Sequence, residues 1–287
     1  MNLNHNNITF IIVTFKSENI IHDCLKTLPK DYKKIIIENS GNPKFKEDLE
    51  QKYDNLEVLL SENLGMGASN NIGIKRCNTK FAYVINPDIK FKENTLSELI
   101  KGAEQIDDFS ILSPISSNSR YPNYTLSKKI SVSSNILSVD CIDGYSMLIN
   151  KQKFRDDIYF DENIFMYLEN DDMCMKKKNE KENLYIIKNS LIDHLGGKSS
   201  DQKHKQDMEF LRNWHWMWSK FYFNKKHYGI FYALFRSLKS FFSSIIKYFL
   251  YSITLNHYKK KIYKMRLLGI LNSILDKPSW YRINFKK

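Results

Sequence analysis

The 287-residue chain has no closely spaced cysteines. Cys24, Cys77, Cys141 and Cys174 lie too far apart for a CxxC metal knuckle. Isolated thiols of this kind behave as small buried hydrophobes in a reducing compartment. The opening "MNLNHNNITF" lacks the basic-then-apolar layout of a signal peptide, so export is not expected. There is no run of 18 uncharged residues, which disfavours a membrane-spanning helix. The glycine fingerprints of two nucleotide-binding classes are also missing. GxGxxG does not follow the first strand pattern, and GxxxxGK[ST] is absent, so neither a dinucleotide Rossmann site nor a P-loop is expected. Hydrophobic residues at 42% exclude a disordered chain and suffice for a sizeable core.

The charge is unevenly placed. Residues 1–200 carry 26 Lys+Arg against 28 Asp+Glu, whereas residues 201–287 carry 18 against 4. All four tryptophans, Trp214, Trp216, Trp218 and Trp280, share the basic part. This shift predicts two regions, 7–205 and 206–287.

The first region alternates strand and helix patterns. An apolar β-branched run at 8–15 and apolar runs at 34–38, 56–60 and 80–86 predict strands. Helical spacing marks 17–28, with Ser17 as N-cap, and then 44–52, 67–77 and 93–106. Such alternation predicts an α/β fold with a mostly parallel sheet, whose ligands collect beyond the carboxyl ends of the strands. The Ser/Asn/Pro-rich stretch 113–136 predicts a long loop.

Four polar clusters then fall at one edge. They are Thr14-Phe15-Lys16-Ser17, Glu38-Asn39-Ser40-Gly41, the turn from Ser61 to Gly67 leading to Asn70 and Asn71, and Asn86-Pro87-Asp88. Turns are polar in general, so each cluster alone says little. Gly65 and Gly67 precede a helix start that suits an anion. Pro87 ends the ladder and fixes Asp88 just past the sheet. A lone carboxylate there can bind Mg or Mn when a diphosphate supplies the other oxygens. The competing reading is that Asp88 caps a following helix.

In order along the chain, "IIVTFKSE", "IIIENSG", "SENLGMGASNNIGI", "INPD", "DGYSMLI", "FMYLENDDMCMK" and "DHLGGKSS" resemble the family 2 glycosyltransferases, and within them a bacterial rhamnosyltransferase-like branch. The resemblance covers about residues 8 to 200. It implies the GT-A fold: a mixed α/β sheet flanked by helices around a nucleotide-sugar cleft. Asp88 and His194 would hold a divalent metal, Mg or Mn, on the diphosphate. Thr14, Glu38, Asn39, Asn63, Gly65, Asn70, Asn86, Asp143 and Gly144 would line the donor, and Gly196 to Ser200 would lie near the diphosphate. Family members often carry Glu-Asp where this chain has Glu169-Asn170. An amide cannot accept the acceptor's proton, which leaves Glu169 as first choice of base, Asp172 as second, and Asp171.

The activity so implied is inverting transfer of a hexose, rhamnose or similar, from a dTDP- or UDP-sugar to a saccharide or lipid-linked acceptor. A metal would stabilise the leaving diphosphate while a carboxylate takes the acceptor proton. Two other readings share the pattern. A sugar nucleotidyltransferase normally has a glycine-rich loop after the first strand, and "TFKSEN" has none. A non-catalytic nucleotide-sugar-binding homologue is suggested by Asn170. The acidic start and lysine-rich end of "ENDDMCMKKK" also simply suit a helix dipole.

The basic tail interleaves aromatics with Lys and Arg, which predicts a helical extension lying on an anionic membrane surface. No nucleic acid is expected, and a helical subdomain packed on the sheet is the alternative. The expected location is cytoplasmic, peripheral on the inner face of the plasma membrane.

Overall fold

The structure, a computed structural model, describes residues 3–106, 108–118, 122–126, 130–195 and 205–283. The chain forms two compact units. One is Met1–Asp161 with Asn170–Asp201, and the other is Glu162–Glu169 with Gln202–Lys287.

The first unit runs β1 (Ile8–Thr14), α1 (Glu18–Thr27), β2 (Lys33–Glu38), α2 (Pro43–Lys52), β3 (Leu56–Leu60), α3 (Met66–Arg76), β4 (Phe81–Ile85), β5 (Ile89–Phe91), α4 (Thr95–Glu104) and β6 (Ile111–Ser116). Short strands β7 (Tyr124–Thr125), β8 (Ile130–Ser131), β9 (Ile136–Ser138) and β10 (Cys141–Ile142) follow, then β11 (Ser146–Asn150), α5 (Glu169–Asn179) and β12 (Leu184–His194). The main sheet is ordered β3-β2-β1-β4-β11-β6-β12-β9-β8, with β5 also paired to β12.

β1 is buried throughout, and mostly apolar, because both its faces are covered. Phe10 and Ile12 enter one core with Tyr83 and Ile85, and Ile11 and Val13 enter the other with Ile35, Ile37 and Val84. Strands β3, β2, β1 and β4 are parallel, so their carboxyl ends share one edge. β11 runs antiparallel to β4 with Ser146 opposite Ile85, which brings Asp143 and Gly144 to the same edge. β12 is parallel to β6 and pairs His194 with Ile89, which brings His194 there too.

The expected strands and helices of residues 8–106 are present within a residue or two of their bounds. Ser17 sits at the N-cap of α1, but its hydroxyl bonds back to Phe15 instead of capping the helix. The expected loop 113–136 needs correction, because its first residues belong to β6. Pro114 hid that strand, since proline cannot donate to a ladder. It is tolerated because β6 pairs with β11 only at Ile111 and Leu112, and the register with β12 slips between Ile187 and Leu191. The helix-cap reading of Asp88 also fails. Asp88 leads into β5, and the N-cap of α4 is Asn94.

The second unit contains α6 (Lys205–Tyr228), α7 (Ile230–Ile253) and α8 (His257–Ile274), so the tail is helical as expected. Gly229, at φ +87°, makes the turn between α6 and α7 in a backbone region closed to most side chains. Asn256 caps α8 by accepting from the Lys259 N–H at 3.0 Å. Trp214, Trp218, Phe210 and Met265 form its core with Ile164. Among the described residues no helix is long and apolar enough to cross a membrane.

Candidate active site

The edge shared by the β1–β4 carboxyl ends is built from several locked turns. Glu38 is fully buried and spends its carboxylate on the turn after β2. Its oxygens accept from the Ser40 N–H at 3.0 Å, from the Ser40 hydroxyl, and from the Asn42 N–H at 2.7 Å. The Asn39 N–H donates to the Thr14 carbonyl at 2.9 Å, and its side chain accepts from the Ser69 hydroxyl at 2.9 Å. Thr14 donates its hydroxyl to the Ile37 carbonyl. Thr14, Glu38 and Asn39 therefore shape the wall of the site by fixing the first two strand ends against α3.

Gly65 precedes α3 at φ +91°, and the Asn63 side chain accepts from its N–H at 3.3 Å. Asn71 clamps the backbone of Phe160 in both directions, each bond 2.9 Å. Its neighbour Asn70 differs. Its side-chain oxygen is buried with no hydrogen-bond partner, and the same holds for Asn86 Oδ1 and Asp88 Oδ1. Orphaned buried acceptors are rare in folded proteins and point to a missing donor or cation.

Asp88 is the central case. Its backbone is fixed because the Leu195 N–H donates to its carbonyl at 3.1 Å. The carboxylate is 2% exposed, and Oδ1 lies 3.5 Å from His194 Nε2. The His194 ring stacks on Tyr145 with centroids 4.1 Å apart, which fixes its orientation. The Tyr145 carbonyl accepts from the Asn86 N–H at 3.0 Å, tying the end of β4 to the start of β11. Burial pushes the Tyr145 phenol up to about 12, against a hydrogen bond with Ser116 and with help from Asp143. Burial and the Asp88 carboxylate together push the Cys24 thiol up to about 12, so it stays a protonated wall residue.

Asp143 feels the charges of both His194 and Asp171. Burial raises its carboxyl above the ordinary range, Asp171 raises it further, and His194 opposes. Burial likewise raises Asp171. Asp171 lies in the first turn of α5, and Asp172, next to it, is buried. Glu169 opens that helix after two residues in the left-handed region, Tyr167 at φ +70° and Leu168 at φ +68°. Strain of about 1–3 kcal/mol per residue persists where surrounding structure enforces it. Asn170 has a structural task. Its amide donates to the Ile142 carbonyl at 3.0 Å, and a Cβ on Gly144 would come within 3.2 Å of the Asn170 Cβ.

The site thus brings together Asp88, His194, Asn86, Asp143 and Gly144 around the strand ends. Sequence reasoning missed Tyr145 and the nearness of Asp171 to Asp143. Tyr145 directly follows Asp143-Gly144, so its position carried the signal. Gly196 to Ser200 lie outside the described residues.

These residues fit a divalent cation on a diphosphate. A buried carboxylate oxygen without a hydrogen bond and an imidazole nitrogen offer two ligands, and phosphates and water can fill the remaining positions. Among the described residues no group of three or more His, Cys, Asp or Glu is placed to hold a metal ion.

Comparison with known proteins bears on the fold and the family. The hexosyltransferase Agl10 of low-salt glycan biosynthesis from Haloferax volcanii is 26% identical over 215 residues, 68% of each chain. Among solved structures, the mannosyltransferase PcManGT from Pyrobaculum calidifontis, in complex with GDP-Man and Mn2+, superposes with a TM-score of 0.57 at 10% identity, covering 94% of this chain and 88% of that one. GalNAc-T7 with UDP, GalNAc and Mn2+ gives 0.56 at 11% identity, covering 85% of this chain. S. aureus TarS gives 0.53 at 13%, covering 93%. This chain spans little more than half of those last two proteins, 58% of GalNAc-T7 and 55% of TarS. The fold shared with all three is GT-A. The description "Glycosyl transferase family 2" matches residues 9–170, more than half of the chain, and the protein belongs to that family of glycosyltransferases.

Proposed function

We propose that the protein transfers a hexosyl unit from a nucleoside-diphosphate sugar to a saccharide or lipid-linked saccharide, with inversion at the anomeric carbon. The observation that carries this reading is the buried, hydrogen-bond-free Asp88 Oδ1 at 3.5 Å from His194 Nε2, at the sheet edge where four parallel strands end. The named activity of Agl10 supports a hexose and a glycan acceptor. dTDP- and UDP-sugars, rhamnose among them, are the donors we expect.

In this reading Asp88 and His194 would hold Mg or Mn. Bound there, the cation would supply Lewis-acid stabilisation of the charge growing on the leaving diphosphate. The residues themselves perform the rest. The fixed turns at Thr14, Glu38-Asn39 and Asn63-Gly65 shape the nucleotide side. Asn70 and Asn86 offer buried acceptors to donor hydroxyl or amide groups. Asp143 and Gly144 face the sugar, with glycine leaving room beside Asn170. A carboxylate at the start of α5 takes the acceptor proton. We assign this to Glu169, half-buried and presented by a strained turn, ahead of the buried Asp172. The catalytic region is 7–205, and 206–287 serves the acceptor or membrane side.

The test is thermal unfolding and turnover across nucleotide sugars with and without Mn2+. A ligand at 100 times its Kd stabilises the native state by about 2.7 kcal/mol. Asp88→Asn and His194→Ala should abolish both the metal-dependent stabilisation and transfer. Asp88→Asn alone should melt no lower than wild type without metal, because it removes a buried charge. Transfer at the wild-type rate in Asp88→Asn would overturn the assignment.

A further inference from the structure

Helix α7 carries its apolar residues on the outside. Its buried positions are the small Ala233, Ser237 and Ser244. Its large apolar residues are exposed: Phe231 at 85%, Phe235 at 72%, Ile246 at 66% and Ile253 at 80%, together with Phe242 and Phe249. These positions recur every three, four or seven residues, which is one stripe of an α-helix. At about 100° per residue the stripe lies opposite the small residues that pack inward. Singly exposed apolar residues are ordinary, but a continuous stripe of phenylalanines marks an interaction surface.

Charge identifies the occupant. From Phe210 to Leu275 the chain contains no Asp or Glu, but it has twelve Lys and Arg. Arg236, Lys239 and Lys247 lie on α7 itself, and Lys259, Lys260, Lys261 and Lys264 lie on α8. A second copy of this chain would bring like charges together along the stripe. A leaflet of anionic lipid complements them, because Lys and Arg near the surface are drawn to its negative potential. Crossing the bilayer is excluded for α7, which is neither apolar nor uncharged enough. We propose that α7 lies in the plane of an anionic bilayer, with the Phe231–Ile253 stripe in the acyl boundary and its basic residues at the headgroups. Long Lys and Arg side chains reach the headgroups while their stems stay on apolar surface. This proposal gives molecular form to membrane association of region 206–287 and stands independently of sugar transfer, since its readout is binding.

The full chain should sediment with phosphatidylcholine vesicles containing phosphatidylglycerol, less with phosphatidylcholine alone, and less again when salt rises from about 0.1 to 1 M. Phe235→Asp with Ile246→Asp should lower partitioning at least about tenfold. Both side chains point outward, so the melting temperature should not change. Arg236→Gln, Lys239→Gln and Lys247→Gln together should remove the preference for phosphatidylglycerol. Phe242→Trp should be quenched by brominated acyl chains. Three results would each overturn the proposal: no sedimentation of the wild type with anionic vesicles, wild-type partitioning by the double Asp variant, or a solution dimer lost in that variant without vesicle binding. The last would assign the stripe to a second copy.

Discussion

Asn170 shows how one residue can mislead and inform. By its place in the motif it raised doubt about catalysis, because an amide cannot act as base. In the fold its amide donates to the Ile142 carbonyl, a bond that an ionised Asp could not make. Asn170→Asp should therefore lower stability by about 1–3 kcal/mol, by leaving that buried carbonyl facing a carboxylate, without raising turnover. Denaturant melts beside initial rates check both parts. Replacing the assigned base, Glu169→Gln, should cost about 10²–10⁴ in kcat, and Asp172→Asn should cost much less. Equal losses would return the role to the group as a whole. Asp143 makes a pH prediction. Its native carboxyl titrates above the ordinary value, because of burial and then Asp171. The native state thus binds its proton more tightly than the unfolded chain does. Stability from this group is full below the unfolded value and is lost as pH rises through the raised native value. Metal-free Asp143→Asn should show a flatter pH dependence of Tm across that window and a higher Tm at neutral pH.

At the scale of elements, close approach sets the sharpest limits. A Cβ on Gly269 of α8 would sit 2.3 Å from the Trp214 carbonyl oxygen of α6. Backbone cannot yield as a side chain can, so Gly269→Ala should push α8 off α6 and cost about 1–3 kcal/mol, read as a fall in Tm. A Cβ on Gly73 would come 2.4 Å from Ile11 Cγ2, which explains a glycine within α3 where it packs on β1. Strands β1, β2 and β4 were legible because burial on both faces writes a nearly continuous apolar run, and the edge strand β3 because its short leucine-rich run lies between two helical patterns. β6 was not, because Pro114 breaks the pattern at a place where the short pairing with β11 and the neighbouring register shift make proline acceptable. β5, three residues long, has no period to read, yet it separates Asp88 from α4 and removes the helix-cap alternative.

At the scale of the whole molecule, the proposed cation site at Asp88 and His194 predicts that metal and donor raise Tm together more than the sum of each alone. The sequence by itself determined the α/β alternation, the family through its ordered motifs, and the split of charge between residues 1–200 and 201–287. These follow from local periodicity and composition, which need no knowledge of long-range contacts. Tertiary structure alone decided that residues 88 and 194, more than a hundred positions apart, face each other at 3.5 Å. It also decided that Asp171 acts electrostatically on Asp143, and that α7 turns its small residues inward and its phenylalanines out. The physical reason is that sheet order and helix facing arise from which surfaces pack together, and packing joins residues that no sequence window contains.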